Sequence, residues 1–215
     1  MTTTARTFSA RLPTPSAQVE RLVSVGVHEL AGVSAAALRG LASGVGDDAL
    51  LALNPALVGV SALAPLVDVE AKPAFVVTDM VDVDEFAAVV DLPASSAYAV
   101  ADPNRGDAMR NWSPEEAAPA IAAAGRTPLT LTEGLYWLLQ QPAVLERGSC
   151  FMTLGSRKRK PNGEWDTRTP ALWISNGTGR DGVEHRDAPK VGWCWWGNRH
   201  TWLGMASAAA RRPLG

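Results

Sequence analysis

The hydrophobic pattern at the start of the chain is helical. Apolar side chains recur three or four positions apart and predict an amphipathic helix over residues 16–30, with Ser16 as its N-cap. Gly32 ends this helix, and Ser34 caps a second helix that continues to Leu41. The two helices form a predicted helical hairpin whose apolar sides need a surface to cover.

Strand-like and helix-like segments alternate in the middle of the chain. β-Prone runs at residues 74–78 and 98–101 predict two short strands. Three capping boxes, each with Glu three positions after the capping residue, predict the starts of three helices. The boxes are Asp82 with Glu85, for a helix to about residue 90; Ser113 with Glu116, for a helix to about residue 124; and Thr130 with Glu133, for a helix to about residue 139. The apolar run at residues 47–66 is interrupted by prolines, so it predicts short helix and turns.

After Ser149 the pattern becomes that of β-structure. Residues 150–154, 171–175 and 191–196 are strand-like and are separated by loops rich in Pro, Gly and charge. The predicted fold class is α+β, with an N-terminal helical hairpin, a central α/β segment and a C-terminal, mainly antiparallel, Trp-rich sheet. We expect a mobile tail over residues 1–15 and a single α+β domain over residues 16–215.

The aromatic residues near the C-terminus lie in a predicted β-hairpin. Gly197-Asn198, between two β-prone runs, predicts a two-residue hairpin turn, because such a pair supplies positive φ angles. The hairpin register places four pairs opposite one another: Trp196 with Arg199, Trp195 with His200, Cys194 with Thr201, and Trp193 with Trp202. Alternation along a strand then puts one group on a single face: Trp193, Trp195, His200 and Trp202.

Composition and charge exclude several classes of protein. The 215 residues are 47% hydrophobic and carry a net charge of −2, values typical of a folded domain. Apolar stretches are too short to span a bilayer and no secretory signal opens the chain, so we expect a cytoplasmic protein without a membrane partner. Residues 1–150 hold nine basic and seventeen acidic residues, whereas the rest hold eleven and five. Such asymmetry fits either attraction between two halves of one fold or a nucleic-acid surface.

The sequence contains no catalytic or metal-binding motif. Two cysteines lack metal-site spacing, and paired carboxylates and a nucleophile elbow are missing, so no metal and no cofactor are predicted, and catalysis stays undecided. Cys194 and His200 are the residue types of a nucleophilic dyad, but the hairpin register points them to opposite faces. A simple buried cysteine is the favoured interpretation.

Three functions remain compatible with these residues. The favoured one is a binding or adaptor module that recognises a protein or small ligand through the Trp- and Arg-rich C-terminal region. The second is an enzyme or small-ligand binder with a pocket around Asn198 and His200 that gathers Arg157, Trp173 and Lys190. The third is an RNA- or ribosome-associated factor that uses a basic patch next to Trp165, made of Arg157, Lys158, Arg159 and Lys160. For the aromatic face, a ligand platform and a plain core layer both stay open, and so does the oligomeric state.

A closing motif at residues 191–204 resembles one specific family. It reads Gly-Trp-Cys-Trp-x-Gly-Asn-x-His-Thr-Trp-Leu-Gly from Gly192 onward, and it follows matching segments at residues 125–130, 155–157 and 170–175. Together these are similar to a family of actinobacterial proteins of unknown function. The resemblance implies a cytoplasmic actinobacterial protein, with no activity or cofactor to carry over.

Overall fold

The computed structural model describes residues 11–215 and has the predicted α+β fold. The first ten residues of the predicted tail over 1–15 lie outside the described residues. Leu12, within that predicted tail, packs against the hydrophobic core. The first helix is capped by Thr14 rather than by Ser16, because the Thr14 hydroxyl accepts a main-chain hydrogen bond at 3.3 Å.

The helices of the N-terminal part are shorter than the pattern predicts. Gly26 has φ 78°, which divides the expected helix over 16–30 in two. Ser34 caps the following helix as predicted, and its hydroxyl accepts a hydrogen bond from Ala37 N–H. The helices are α1 Pro15–Ser24, α2 Val27–Leu30, α3 Ala35–Gly40, α4 Ala42–Val45, α5 Val60–Leu63, α6 Pro114–Ala123 and α7 Leu131–Gln140.

The strands form two principal sheets and several short pairings. In chain order they are β1 Ala49–Leu53, β2 Asp68–Val69, β3 Lys72–Pro73, β4 Phe75–Val76, β5 Ala87–Ala88, β6 Ala97–Ala101, β7 Thr127–Pro128, β8 Cys150–Met152, β9 Ser156–Arg157, β10 Arg168–Ile174, β11 Pro189–Trp195, β12 Leu203–Met205, β13 Ser207–Ala208 and β14 Ala210–Leu214. A five-stranded sheet has the order β12-β8-β10-β11-β4, and a three-stranded antiparallel sheet has the order β1-β6-β14. In the larger sheet β10 is antiparallel to both neighbours, whereas β12 with β8 and β11 with β4 are parallel.

Helix α7 is the centre of the molecule. All its residues are buried, and it contacts both β1 and β10. Gly134 makes the approach of β10 possible, since a Cβ there would lie 2.7 Å from Leu172 Cδ1. The capping boxes at Ser113 and Thr130 are both formed, so the predicted starts of α6 and α7 are confirmed.

A buried ion pair joins α7 to the last strand. Arg211 of β14 donates from Nε to Glu133 Oε1 at 2.6 Å and from Nη2 to Glu133 Oε2 at 2.7 Å. The side chains are 5% and 0% exposed, respectively. Glu133 Oε2 also accepts the hydrogen bond that closes the capping box, from Thr130 N–H at 2.8 Å. The carboxylate is therefore fully used within the protein.

The capping box predicted at Asp82 and Glu85 is wrong. The chain forms a single 3₁₀ turn at Val83–Glu85 without a side-chain cap, and then enters β5. Asp82 instead binds the side chains of Arg168 and Lys158, which hold the pKa of this carboxyl well below its usual range. A long-range ion pair thus outcompetes the local cap.

The acidic and basic parts of the chain attract each other directly. Ion pairs connect the acidic first 150 residues to the basic remainder at several places: Asp82 with Lys158 and Arg168, Asp79 with Arg180, Glu116 with Arg199, and Glu133 with Arg211. Part of the opposite net charge of the two halves of the sequence is therefore neutralised by ion pairs within the fold.

The predicted hairpin at Gly197-Asn198 is wrong. Neither residue adopts the positive φ that a two-residue hairpin turn requires. A turn does form, because Asn198 N–H donates to Trp195 O at 3.0 Å, but the chain then leaves the sheet. Strand β12 returns on the far side, next to β8, with β8 and β10 between it and β11. None of the four predicted cross-strand pairs is formed in this sheet.

Candidate functional site

The predicted aromatic face is divided between the two sides of the sheet. The rings of Trp193 and Trp195 lie 4.5 Å apart on one side. On the strand register this side also carries Val191 and Leu172, which are fully buried, and Leu172 faces α7. Trp193 accordingly packs against the core, whereas Trp195, at the end of β11, is 46% exposed.

Trp202 and His200 lie on the opposite side, with Trp173 and Lys190. The Trp202 ring meets the Trp173 ring edge-on at 5.9 Å, and His200 meets Trp202 at 5.4 Å. Lys190 Nζ lies 4.8 Å from the Trp173 ring centroid. The predicted grouping of Trp202 and His200 with Trp193 is therefore wrong, because it depended on the hairpin that does not form.

His200 is partly buried beside Trp202. Burial lowers the pKa of its imidazole, and Nε2 has no hydrogen-bond partner among the described residues. Its main-chain carbonyl accepts a hydrogen bond from Asn111 N–H at 2.9 Å. Asn198, the other centre of the predicted pocket, is exposed in the turn after β11.

The two cysteines are free thiols with raised pKa values. Burial raises the pKa of Cys150 to about 11 and that of Cys194 to about 12. Cys194 shares its side of β11 with Lys190, the side on which His200 also packs, so the argument from opposite faces no longer holds. The raised pKa instead keeps the Cys194 thiol protonated, and a protonated thiol is a poor nucleophile.

The basic patch at residues 157–160 is not a uniform charged surface. Lys158 binds Asp82 and Glu85, which raise its pKa. Arg159 Nη1 donates to Gly163 O at 2.7 Å within the same loop. Only part of the positive charge in this run is therefore available to a phosphate backbone.

Arg157 is the most unusual member of that patch. It is 9% exposed, and its Nη2 donates to the main-chain oxygen of Asp166 at 2.9 Å. Its Nε has no hydrogen-bond partner among the described residues. Burial lowers the pKa of the guanidinium, against the smaller opposing effect of the Asp166 charge, but an arginine still remains charged at neutral pH.

Indole rings surround the Arg157 guanidinium. Its Cζ lies 3.9 Å from the Trp196 ring centroid and 5.5 Å from that of Trp165. Arg159 Cζ lies 3.7 Å from the Trp165 ring, so the Trp165 ring is near both guanidinium groups. We call the four side chains, Trp196, Arg157, Trp165 and Arg159, the Arg–Trp ladder.

The cationic partner of Trp196 in the ladder is Arg157 and not the predicted Arg199. The predicted partner of Trp196 was Arg199, but Arg199 forms an ion pair with Glu116 of α6. Arg199 and Glu116 line a concavity of about 320 Å³ together with Arg110, Asn111 and Trp112. Nothing in the sequence pattern indicates this concavity, because its residues come from two segments that only the fold brings together.

Residues 11–215, the part of the chain that the structure describes, contain neither a metal-binding cluster nor a membrane-spanning helix. No three His, Cys, Asp or Glu side chains in this range come close enough to hold a metal ion. No helix in the same range has the length and apolar character needed to cross a bilayer.

Comparison with known proteins identifies the family. A model of the family of unknown function DUF5701 matches residues 21–214. The chain belongs to the DUF5701 family. Membership of a family of unknown function is therefore confirmed. No curated protein and no solved structure matches this chain.

Proposed function

We propose that this DUF5701 protein is a binding module that recognises an acidic segment of a partner protein through the Arg–Trp ladder. Arg157 carries the proposal, since it is a nearly buried cation without a carboxylate hydrogen-bonded to it in the described residues. A buried charge of this kind costs free energy unless an opposite charge pairs with it. The Asp166 carboxylate acts on Arg157 through its charge but is bound to Arg168, so a carboxylate of a partner would supply the direct pairing.

The rest of the ladder has the composition of a protein-binding surface. Trp165 is 39% exposed although both guanidinium groups lie near its ring. Tryptophan and arginine are the residue types most enriched at the energetic centres of interfaces. A partner that covers Trp165 would shield both cation–π contacts from water and so strengthen them.

The charges around the ladder favour an acidic protein segment over RNA. Nucleic-acid affinity arises from many phosphate contacts, each of which needs an available cation. Here Lys158 is bound to Asp82 and Glu85, and the Asp166 carboxylate, next to the ladder, is bound to Arg168. A few carboxylates of a protein segment match such a site better than a polyphosphate chain does.

The test is binding of fluorescein-labelled dodecapeptides in which two glutamates alternate with apolar residues, measured by fluorescence anisotropy. Matched peptides carry Gln or Lys in place of Glu, and a single-stranded oligonucleotide of uridine is the RNA probe. We expect saturable binding of the Glu peptides alone. We expect Trp165→Ala to weaken the binding free energy by about 2 kcal/mol, which is a roughly thirtyfold higher Kd. Trp112→Ala is the matched control, because Trp112 is 40% exposed outside the ladder.

A second variant separates a binding role from a structural one. Arg157→Met keeps the apolar stem but removes the buried charge, so we expect weaker peptide binding and a free energy of unfolding within about 1 kcal/mol of the wild type, or higher. A loss of stability of several kcal/mol would show that Arg157 is structural. Equal effects of the Trp165 and Trp112 variants, or tighter and salt-sensitive binding of the RNA, would contradict the proposal.

The proposal includes the setting that the resemblance of the C-terminal motif implies. We expect the protein to act in the cytoplasm of an actinobacterium. A fluorescent fusion expressed in such a host, followed by fractionation, checks this directly.

A further inference from the structure

A second concave site lies away from the ladder, on the Trp173 side of the five-stranded sheet. It has a volume of about 330 Å³, at the small end of ligand pockets. Its lining comes from the loop before β8, from the end of β10 and from the segment before β12: Arg147, Cys150, Trp173, Ile174, Asn176 and Trp202. None of the four ladder residues lines it. We call it the indole groove.

The walls of the groove are aromatic and held in place. Trp173 and Trp202 meet edge-on, with ring centroids 5.9 Å apart. Lys190 lies over the Trp173 ring and His200 packs against Trp202, so each indole has a further partner. Fixed aromatic walls suit a flat ring, which stacks on an indole without a large loss of conformational entropy.

Apart from Arg147, the side chains that line the groove are uncharged. The Cys150 thiol donates a hydrogen bond to Glu146 O at 3.3 Å, and burial raises its pKa to about 11. Burial also lowers the pKa of His200, whose ring meets that of Trp202 edge-on. An apolar ring system can therefore enter without displacing a charge.

Arg147 brings a positive charge to the mouth of the groove, where its Nη1 donates to Asn176 Oδ1. Arg147 is about half exposed; its Nη2 donates to Ser175 O at 3.1 Å, and the guanidinium also pairs with Asp187. Asp187 is shared with Lys72, whose Nζ lies 3.4 Å from it, so two cations share one carboxylate. Lys190 has its own partner, Asp181, with Nζ–oxygen distances of 2.6 and 2.8 Å. An anion at the mouth would balance the remaining positive charge.

We propose that the indole groove binds a planar aromatic carboxylic acid, with its ring against Trp173 and Trp202 and its carboxylate at Arg147. The apolar lining selects the ring, the volume limits it to one or two fused cycles, and the uncompensated charge at the mouth selects an acid. This site is independent of peptide binding at the ladder.

The probe for this site is 2-naphthoate, with 2-naphthamide as the neutral molecule of the same shape. Binding is followed by NMR through the indole N–H signals of the ¹⁵N-labelled full chain, assigned with Trp173→Phe and Trp202→Phe. We expect saturable shifts of the Trp173 and Trp202 signals, and roughly tenfold weaker binding of the amide, the difference of one charge-assisted contact.

Arg147→Gln tests the charged contact and Arg180→Gln is its control, because Arg180 is also an exposed arginine paired with an aspartate, Asp79. We expect roughly tenfold weaker naphthoate binding for Arg147→Gln and no change for Arg180→Gln or Trp165→Ala. The Trp165 variant separates this site from the ladder, since it should weaken peptide binding and leave naphthoate binding unchanged. Should Trp202→Phe unfold the chain, the comparison of the Arg147 variant with the wild type still tests the proposal.

Three results would overturn the proposal. The first is the lack of saturable shifts with 2-naphthoate at millimolar concentration. The second is equal affinity for 2-naphthoate and 2-naphthamide, since the mouth charge would then select nothing. The third is unchanged naphthoate binding in the Arg147 variant.

Discussion

Replacing Arg211 with methionine is expected to lower the free energy of unfolding by about 3–5 kcal/mol. The substitution leaves the carboxylate of Glu133, which is 0% exposed, without its bidentate partner. A buried carboxylate that loses its cation still bears the cost of leaving water, and α7 and β14 lose their direct connection. Urea denaturation followed by circular dichroism measures the change.

The neighbouring arginine gives a control for this prediction. Arg212 lies on the same strand but is exposed, so Arg212→Met should change stability by less than about 0.5 kcal/mol. The double variant Arg211→Met with Glu133→Gln should recover part of the loss, because the amide oxygen still caps α7 and no buried charge remains. Equal stabilities of the Arg211 and Arg212 variants would refute the assigned role of the pair.

The substitution Gly106→Ala is expected to lower the free energy of unfolding by at least about 4 kcal/mol or to prevent folding. Gly106 has φ 74°, and a Cβ there would lie 2.0 Å from the carbonyl oxygen of Met205. Because Met205 belongs to the buried strand β12, its backbone cannot move away without disturbing the sheet. Thermal and urea unfolding measure the loss, and soluble yield reports a failure to fold.

Gly148 serves as a control that separates the effect of the positive φ angle from the effect of the close contact with the Met205 backbone. It has nearly the same φ, 75°, but a Cβ there would meet no atom within 4 Å. Gly148→Ala should therefore cost only about 1–2 kcal/mol, the price of a left-handed conformation for a residue with a side chain. If the two alanine variants lose the same stability, the close approach of the Met205 backbone contributes nothing.

Elements specified by neighbouring residues are the ones that the sequence predicts well. The capping boxes that start α6 and α7 lie within four consecutive residues each, and both are confirmed. The box expected at Asp82 fails because Arg168, far along the chain, binds that carboxylate. The prolines in the run at residues 47–66 predict short helix and turns, but Ala49–Leu53, ahead of the first of them, forms strand β1 by pairing with β6.

The candidate sites show the same limit. The sequence predicts Arg157, Trp165 and Trp173 as candidate site residues, because that prediction depends only on the type of side chain. The sequence does not predict which of these residues contact one another, because every predicted facing pair depends on a hairpin at Gly197-Asn198 that does not form. Arg147 was missed, since nothing local indicates that the loop before β8 meets the end of β10.

The pairing of β14 with β6 sets an order of events during synthesis. Ala210 pairs with Ala101, so β6 is made long before its second neighbour exists. At about 5–20 residues per second, the nascent chain waits on the order of ten seconds with that edge of β6 open. Glu133 also stays without Arg211 for much of this interval. The three-stranded sheet is therefore completed only after β14 has been made, and the chain that still lacks β14 is the form most exposed to aggregation and to chaperones.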